Sequence, residues 1–259
     1  MSRLIDRLKQ ISQAAPEPIG FKAASAALPQ TKMLLVAGLA QAGFDGLSDC
    51  VAGADAGLLP VSELGSGARA IKEAIQTVSG IPWGGRLKNI GEEEISRIAG
   101  TGVDFLVFPM ASAILPALQG GTIGKILEIE ISLDEGLLRS VDKLPVDAAL
   151  ISTEQQDGYF LTWHHLMRIQ RCADLLTKPL LVSIPSNVTT TELQALWDAG
   201  VDGVVVEVAA GQPAGRLIEL RQAIDSMPPA SKRKRGETAA LLPYATHGMD
   251  EVTEEPEED

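Results

Sequence analysis

The chain has 259 residues, 45% of them hydrophobic and 22% charged, with a formal net charge of −12. That length suffices for one large buried core, and the acidic balance argues against general nucleic-acid binding. No apolar run approaches the ~20 residues of a membrane span and the charged N-terminus has no signal-peptide core, so a soluble cytoplasmic protein with no membrane attachment is expected. Cys50 and Cys172 stand far apart, which implies neither a disulfide framework nor a zinc ribbon.

Ser2 to Gln13 places Leu4, Ile5, Leu8 and Ile11 on one helical face, with Arg3, Arg7 and Lys9 outside it. Eight short apolar runs follow: Met33–Ala37, Ala56–Val61, Ile81–Lys88, Val103–Pro109, Lys125–Ser132, Val146–Ser152, Pro179–Ile184 and Val201–Val208. Their starts are 23, 25, 22, 22, 21, 33 and 22 residues apart, the length of one strand, one loop and one short helix. Between them, apolar residues recur at steps of three and four in Ala68–Val78, Trp163–Leu176, Thr191–Ala199 and Gly215–Ser226. Shorter helices are expected at Leu47–Ala52 and, interrupted by Pro116, at Ile114–Leu118.

Strands that read as nearly continuous Val/Ile/Leu runs suit a parallel sheet covered by helices. Eight alternations of strand and helix predict a (β/α)8 TIM barrel with an N-terminal extra helix closing its bottom. A doubly wound sheet is the rival, but it seldom needs eight even units, and no GxGxxG follows the first strand. Three junctions, Ala52-Gly-Ala-Asp55, Gly100-Thr-Gly-Val-Asp104 and Ala199-Gly-Val-Asp202, read as a glycine helix cap followed by an Asp that opens the next strand. The barrel is expected over residues 1–227. From 228 to 259, Lys232-Arg-Lys-Arg235 and seven acidic residues among the last ten read as a disordered charged tail. The tail carries −4 of the net charge and the barrel −8.

In such a barrel the reacting groups stand at the C-terminal ends of strands. Alternation puts Arg86 and Lys88 on one face of strand three, and Glu128, Glu130 and Ser132 on the inward face of strand five. Strand eight adds Glu207, and Glu63 follows strand two. Lys88 is the candidate acid or amine, Glu130 the base and Arg86 the anion clamp, with Glu207 a further member of the catalytic constellation. The competing reading is an ion network that fills the barrel and does no chemistry. A third has Glu63, Glu130 and Glu207 hold magnesium, although no D-x-D motif or His accompanies them.

The long sixth interval holds Tyr159, Phe160 and Trp163, followed by His164 and His165. These aromatics form a lid over the pocket or a patch for a partner, or else pack the loop onto the barrel rim. The loops after strands seven and eight offer Ser186, Asn187, Gly211 and Gln212 as donors to a phosphate or other anion.

The segment Leu181-Val-Ser-Ile-Pro-Ser-Asn through Ala199-Gly-Val-Asp-Gly-Val-Val-Val206 resembles the strand-seven to strand-eight region of aldolase-type, phosphate-binding TIM barrels, with indole-3-glycerol-phosphate synthase closest in rhythm. That family has an N-terminal extra helix, a catalytic Lys late in strand three and a Glu in a central strand; Lys88 and Glu128 or Glu130 fall at similar places. The departures are plain: the family's R-K-D-F is Arg86-Leu-Lys88-Asn89, its S-E-S-G is Ser183-Ile-Pro-Ser186, and its V-G-E-S is Val206-Glu-Val-Ala209. The resemblance implies a lyase or isomerase acting on a small anionic or phosphorylated metabolite; the alternative is a non-catalytic barrel used for ligand binding or assembly. No cofactor is required by this reading, flavin and magnesium being left open, and a homo-oligomer is compatible with it.

Overall fold

The computed structural model describes residues 2–13, 32–40, 46–61, 66–88, 92–111, 122–152, 161–208 and 215–228. Its centre is a closed barrel of eight parallel strands in sequence order: β1 (Leu34–Leu39), β2 (Ala56–Val61), β3 (Trp83–Leu87), β4 (Phe105–Pro109), β5 (Gly124–Glu130), β6 (Ala148–Ser152), β7 (Leu180–Pro185) and β8 (Gly203–Val208). The helices are α1 (Arg3–Ser12), α2 (Leu47–Cys50), α3 (Ser66–Thr77), α4 (Glu92–Ala99), α5 (Glu135–Val141), α6 (Trp163–Leu175), α7 (Thr190–Asp198) and α8 (Arg216–Ser226). The expected barrel is therefore the observed one. The helix expected at Ile114–Leu118 and the charged tail from residue 229 lie outside the described residues.

Following the pairing from strand to strand around the barrel returns to β3 eight residues below the starting point, the stagger that an eight-stranded barrel of this class requires. Residues in register share a face, so Leu34, Val36, Leu58, Phe105, Val107, Ile126, Leu150, Leu181 and Val205 point inward, and all are buried. This apolar filling occupies the lower and middle barrel. The charged inward positions come only at the strand ends above it.

The lower end is tied together by aspartates. Asp55, Asp147 and Asp202, each just before an even-numbered strand, accept the backbone N–H of Leu35, Lys125 and Leu180 at the start of the preceding odd strand, at 2.9, 3.0 and 2.8 Å. The glycines two places before Asp55, Asp104 and Asp202 have φ of +89°, +88° and +93°, as a left-handed helix cap demands. Asp147 follows Pro145 instead, and the sequence pattern passed it by.

Asp104 departs from the rule. It accepts Ser2 Oγ and the N–H groups of Arg3 and Leu4 at 2.8, 2.8 and 3.0 Å, so the fourth aspartate holds the first turn of α1 under the barrel. Leu4, Ile5, Leu8 and Ile11 of α1 are buried, Ser2 caps the helix, and Ile5 and Ser2 lie against Gly124 at the bottom of β5. Arg7 and Lys9 reach Asp55 and Asp147 at 3.7 and 3.5 Å. The extra helix thus closes the barrel floor through the same aspartates that align the strands.

Candidate active site

Parity along β3 alternates Trp83 out, Gly84 in, Gly85 out and Arg86 in: Trp83 bonds Val78 O outside the sheet at 2.9 Å, and the outer side of Gly85 faces Ile71 of α3. The Lys88 N–H still reaches Val61 O at 3.3 Å, so the strand continues through Lys88, whose side chain stands exposed at the mouth. Register likewise turns Glu128 and Glu130 of β5, Ser152 of β6 and Glu207 of β8 inward.

Arg86 gathers them. Its Nε and Nη2 form a fork on Glu128 at 3.2 and 2.6 Å, Nη1 donates to Glu207 at 2.9 Å, and Nη2 donates to Ser152 Oγ at 3.1 Å. The side chains of Arg86, Glu128 and Glu207 are 19, 16 and 22% exposed, so the cluster is largely desolvated but keeps some contact with solvent. Burial pushes the Glu128 carboxyl up, but the bond to Arg86, its charge, the Ser152 hydroxyl and the charge of Lys88 outweigh it and hold the carboxyl below its ordinary value. Burial opposes the charge on Arg86 as well; the two glutamates overcome it and raise its pKa. Arg86 is therefore a fixed cation and Glu128 a fixed anion.

Glu207 is held by one oxygen only among the described residues. Its Oε2 lies over Gly38 of β1, where a methyl group would come within 3.2 Å of it. Glycine at this position gives the carboxylate its room.

Of the other expected site residues, Glu130 is exposed and accepts the Ser132 hydroxyl at 3.1 Å. No hydrogen bond joins it to Lys88; Arg86 engages Glu128, one inward position lower, and Glu130 stays at the rim. Ser186 and Asn187 form the turn after β7. Arg216, in the first turn of α8, donates to Ser186 O and Val188 O at 2.8 and 2.7 Å and so clamps that turn to α8. Glu63, Tyr159, Phe160, Gly211 and Gln212 lie outside the described residues. Trp163 is 81% exposed at the start of α6.

Ser152, Gly38 and Arg216 escaped the sequence reading. Ser152 shares its face with Leu150, so strand parity could have found it; nothing marked the other two. Among the described residues no three His, Cys, Asp or Glu side chains are grouped to hold a metal, and no helix is long and apolar enough to cross a membrane. Cys172 is buried and burial raises its thiol pKa, the setting of an inert cysteine.

No protein-family model matches the chain, and no curated protein does. Solved structures do. A mutant tryptophan synthase α-subunit from the hyperthermophile Pyrococcus furiosus superposes with a TM-score of 0.58 at 11% identity, over 74% of this chain and 96% of that one. A protein from Aquifex aeolicus VF5 gives 0.58 at 10% identity, over 86 and 96%. The fold these structures share with the chain is the (β/α)8 TIM barrel. A cube-shaped, porous cage designed by fusing symmetric oligomeric domains also matches, with a TM-score of 0.56 at 17% identity over 75 and 71%. At such identities the likeness of this TIM barrel to its neighbours is one of fold, and the chemistry must be argued from its own residues.

Proposed function

We propose that this barrel is a cytoplasmic lyase or isomerase that acts on a small anionic, phosphorylated metabolite at its C-terminal mouth. The observation that carries the reading is the charged layer of Arg86, Glu128 and Glu207, set on an apolar filling and open to solvent, with Lys88 beside it. Such a layer holds its charges in a setting where their effect on a bound substrate is larger than in water.

The roles follow from what each group has left to give. Among the described residues Arg86 makes four hydrogen bonds from its five N–H groups, so it orients the two carboxylates rather than clamping a substrate anion. Glu128, held below its ordinary pKa, is a poor proton acceptor near neutral pH. Glu207, with one oxygen turned away from Arg86, is the better base and replaces Glu130 in that role. Lys88 supplies the positive charge that meets the substrate and donates a proton to its departing or carbonyl oxygen, or serves as the amine. The phosphate end would rest on the turn of Ser186 and Asn187, which Arg216 ties to the start of α8. No bound cofactor is needed for these steps.

One observation favours the second reading, a barrel that binds or assembles without catalysis: Arg86 is almost saturated by its own protein. A thermal-shift screen with phosphorylated sugars, carboxylates and flavin separates the two. A ligand at a hundred times its Kd adds about 2.7 kcal/mol of stability, and a site ligand must lose that effect in Lys88→Met while Glu207→Gln keeps binding and loses turnover. Unchanged turnover in both variants sinks the mechanism.

A further inference from the structure

The strongest feature outside the mouth is the outer face of α6. Trp163, Met167, Gln170 and Asp174 follow one another at steps of four, three and four residues, which places them in one narrow stripe along the helix, and all four are exposed. Trp163 is 81% and Met167 68% exposed, and on neighbouring α5 Leu137 is 50% exposed. Between the two helices runs a groove of about 320 Å³ lined by Glu135, Met167, Gln170, Arg171, Asp174 and Leu175. Arg171 and Glu135 cross it at 3.4 Å and fix α5 against α6. A nearly bare tryptophan next to an exposed methionine, with Gln170 and Asp174 continuing the stripe, is the composition of an interface centre with its polar rim rather than of ordinary surface.

We propose that this stripe is the contact of a twofold homodimer in which α6 packs antiparallel on α6 of a second copy, with the axis between Met167 and Gln170. A two-fold interface must be complementary to itself, and this stripe is. Reversal brings Trp163 opposite Asp174 and Met167 opposite Gln170, so the indole N–H meets a carboxylate twice and the apolar side chains meet at the centre. Helix polarity agrees. Asp174 sits in the last turn of its own helix, at the negative end of the dipole, where a carboxylate is unfavourable; in the pair it lies at the positive N-terminal end of the partner helix. The one charge of the stripe, Asp174, is thus better placed in the dimer than alone.

A 13-residue helix is about 20 Å long and offers less than the ~800 Å² per partner of a standard interface, so the association is weak and depends on concentration. This inference is independent of the chemistry proposed for the barrel mouth.

Sedimentation velocity on the full chain from about 2 to 200 μM tests it. The mass should rise from one chain toward two across that range. Trp163→Asp and Met167→Asp should each raise the dissociation constant at least tenfold while leaving the melting temperature of the monomer in place, as exposed positions allow. Fluorescence gives a second readout, because Trp83 and Trp197 are buried at 2 and 6% exposure: a blue shift that grows with concentration belongs to Trp163. A single chain at every concentration overturns the proposal, as does a dimer that both variants leave intact. A Trp163 signal that answers to a small ligand and not to concentration also overturns it, since that is the behaviour of a lid.

Discussion

At the bottom of the barrel, Asp55, Asp147 and Asp202 accept backbone N–H groups of neighbouring strands; at the top, Glu128 and Glu207 meet the side chain of Arg86. Backbone donors cannot leave, so the lower carboxylates are fixed by the fold and fix it in return. The upper pair is held by one side chain, that of Arg86, beneath the exposed Lys88. Carboxylates of the same barrel are committed to alignment at one end and available for chemistry at the other, and mutations should fall differently at the two ends.

Arg86→Met has the largest expected effect on stability, about 3–5 kcal/mol in denaturant unfolding, because it leaves two partly buried glutamates without their cation. Adding Glu128→Leu and Glu207→Leu should recover most of that loss; failure to recover would mean that the triad holds the fold as firmly as the aspartates do. At the lower end, Asp202→Ala should cost about 2–3 kcal/mol, since Asp202 is 1% exposed and its removal strands the Leu180 N–H. Asp104→Ala should cost about 1–2 kcal/mol, the worth of a helix cap. Its signature is local: hydrogen exchange should speed up over residues 3–8 while the strands keep their protection.

The pH response is smaller and has a definite sign. Glu128 is held below its ordinary value of 4.5 in the folded state, so it contributes stability above about that pH and loses it as pH falls through the lowered folded value. Between pH 6 and pH 3 the wild type should therefore lose more stability than Glu128→Gln. Equal losses would show that Arg86 does not favour the charged form.

The spacing of eight apolar runs was enough to read the barrel, and the alternation in Leu127-Glu-Ile-Glu-Ile-Ser132 was enough to turn Glu128 and Glu130 inward. The G-x-D junctions gave away three of the four lower aspartates because a positive φ demands glycine. Which charges meet was not legible in the same way. Parity along one strand tells the side a residue faces, whereas its height relative to another strand depends on the stagger accumulated around the barrel and on the reach of the side chain. Arg86 is long enough to fork on Glu128, and this leaves Glu130 at the rim with Ser132 and no bond to Lys88. Gly38 beneath Glu207 and Arg216 behind Ser186 are contacts between distant segments, with no local pattern to announce them.

Lys88 distinguishes a poised mouth from a structural one, for it is exposed and its replacement should change stability by less than about 0.5 kcal/mol. The decisive measurement is the ligand-induced melting shift of the wild type and of Lys88→Met across phosphorylated sugars and carboxylates. A shift in the wild type that disappears in Lys88→Met, with both proteins melting alike when ligand-free, is the predicted result. No shift in the wild type, or one that survives the substitution, would contradict the assignment of the barrel mouth as an active site.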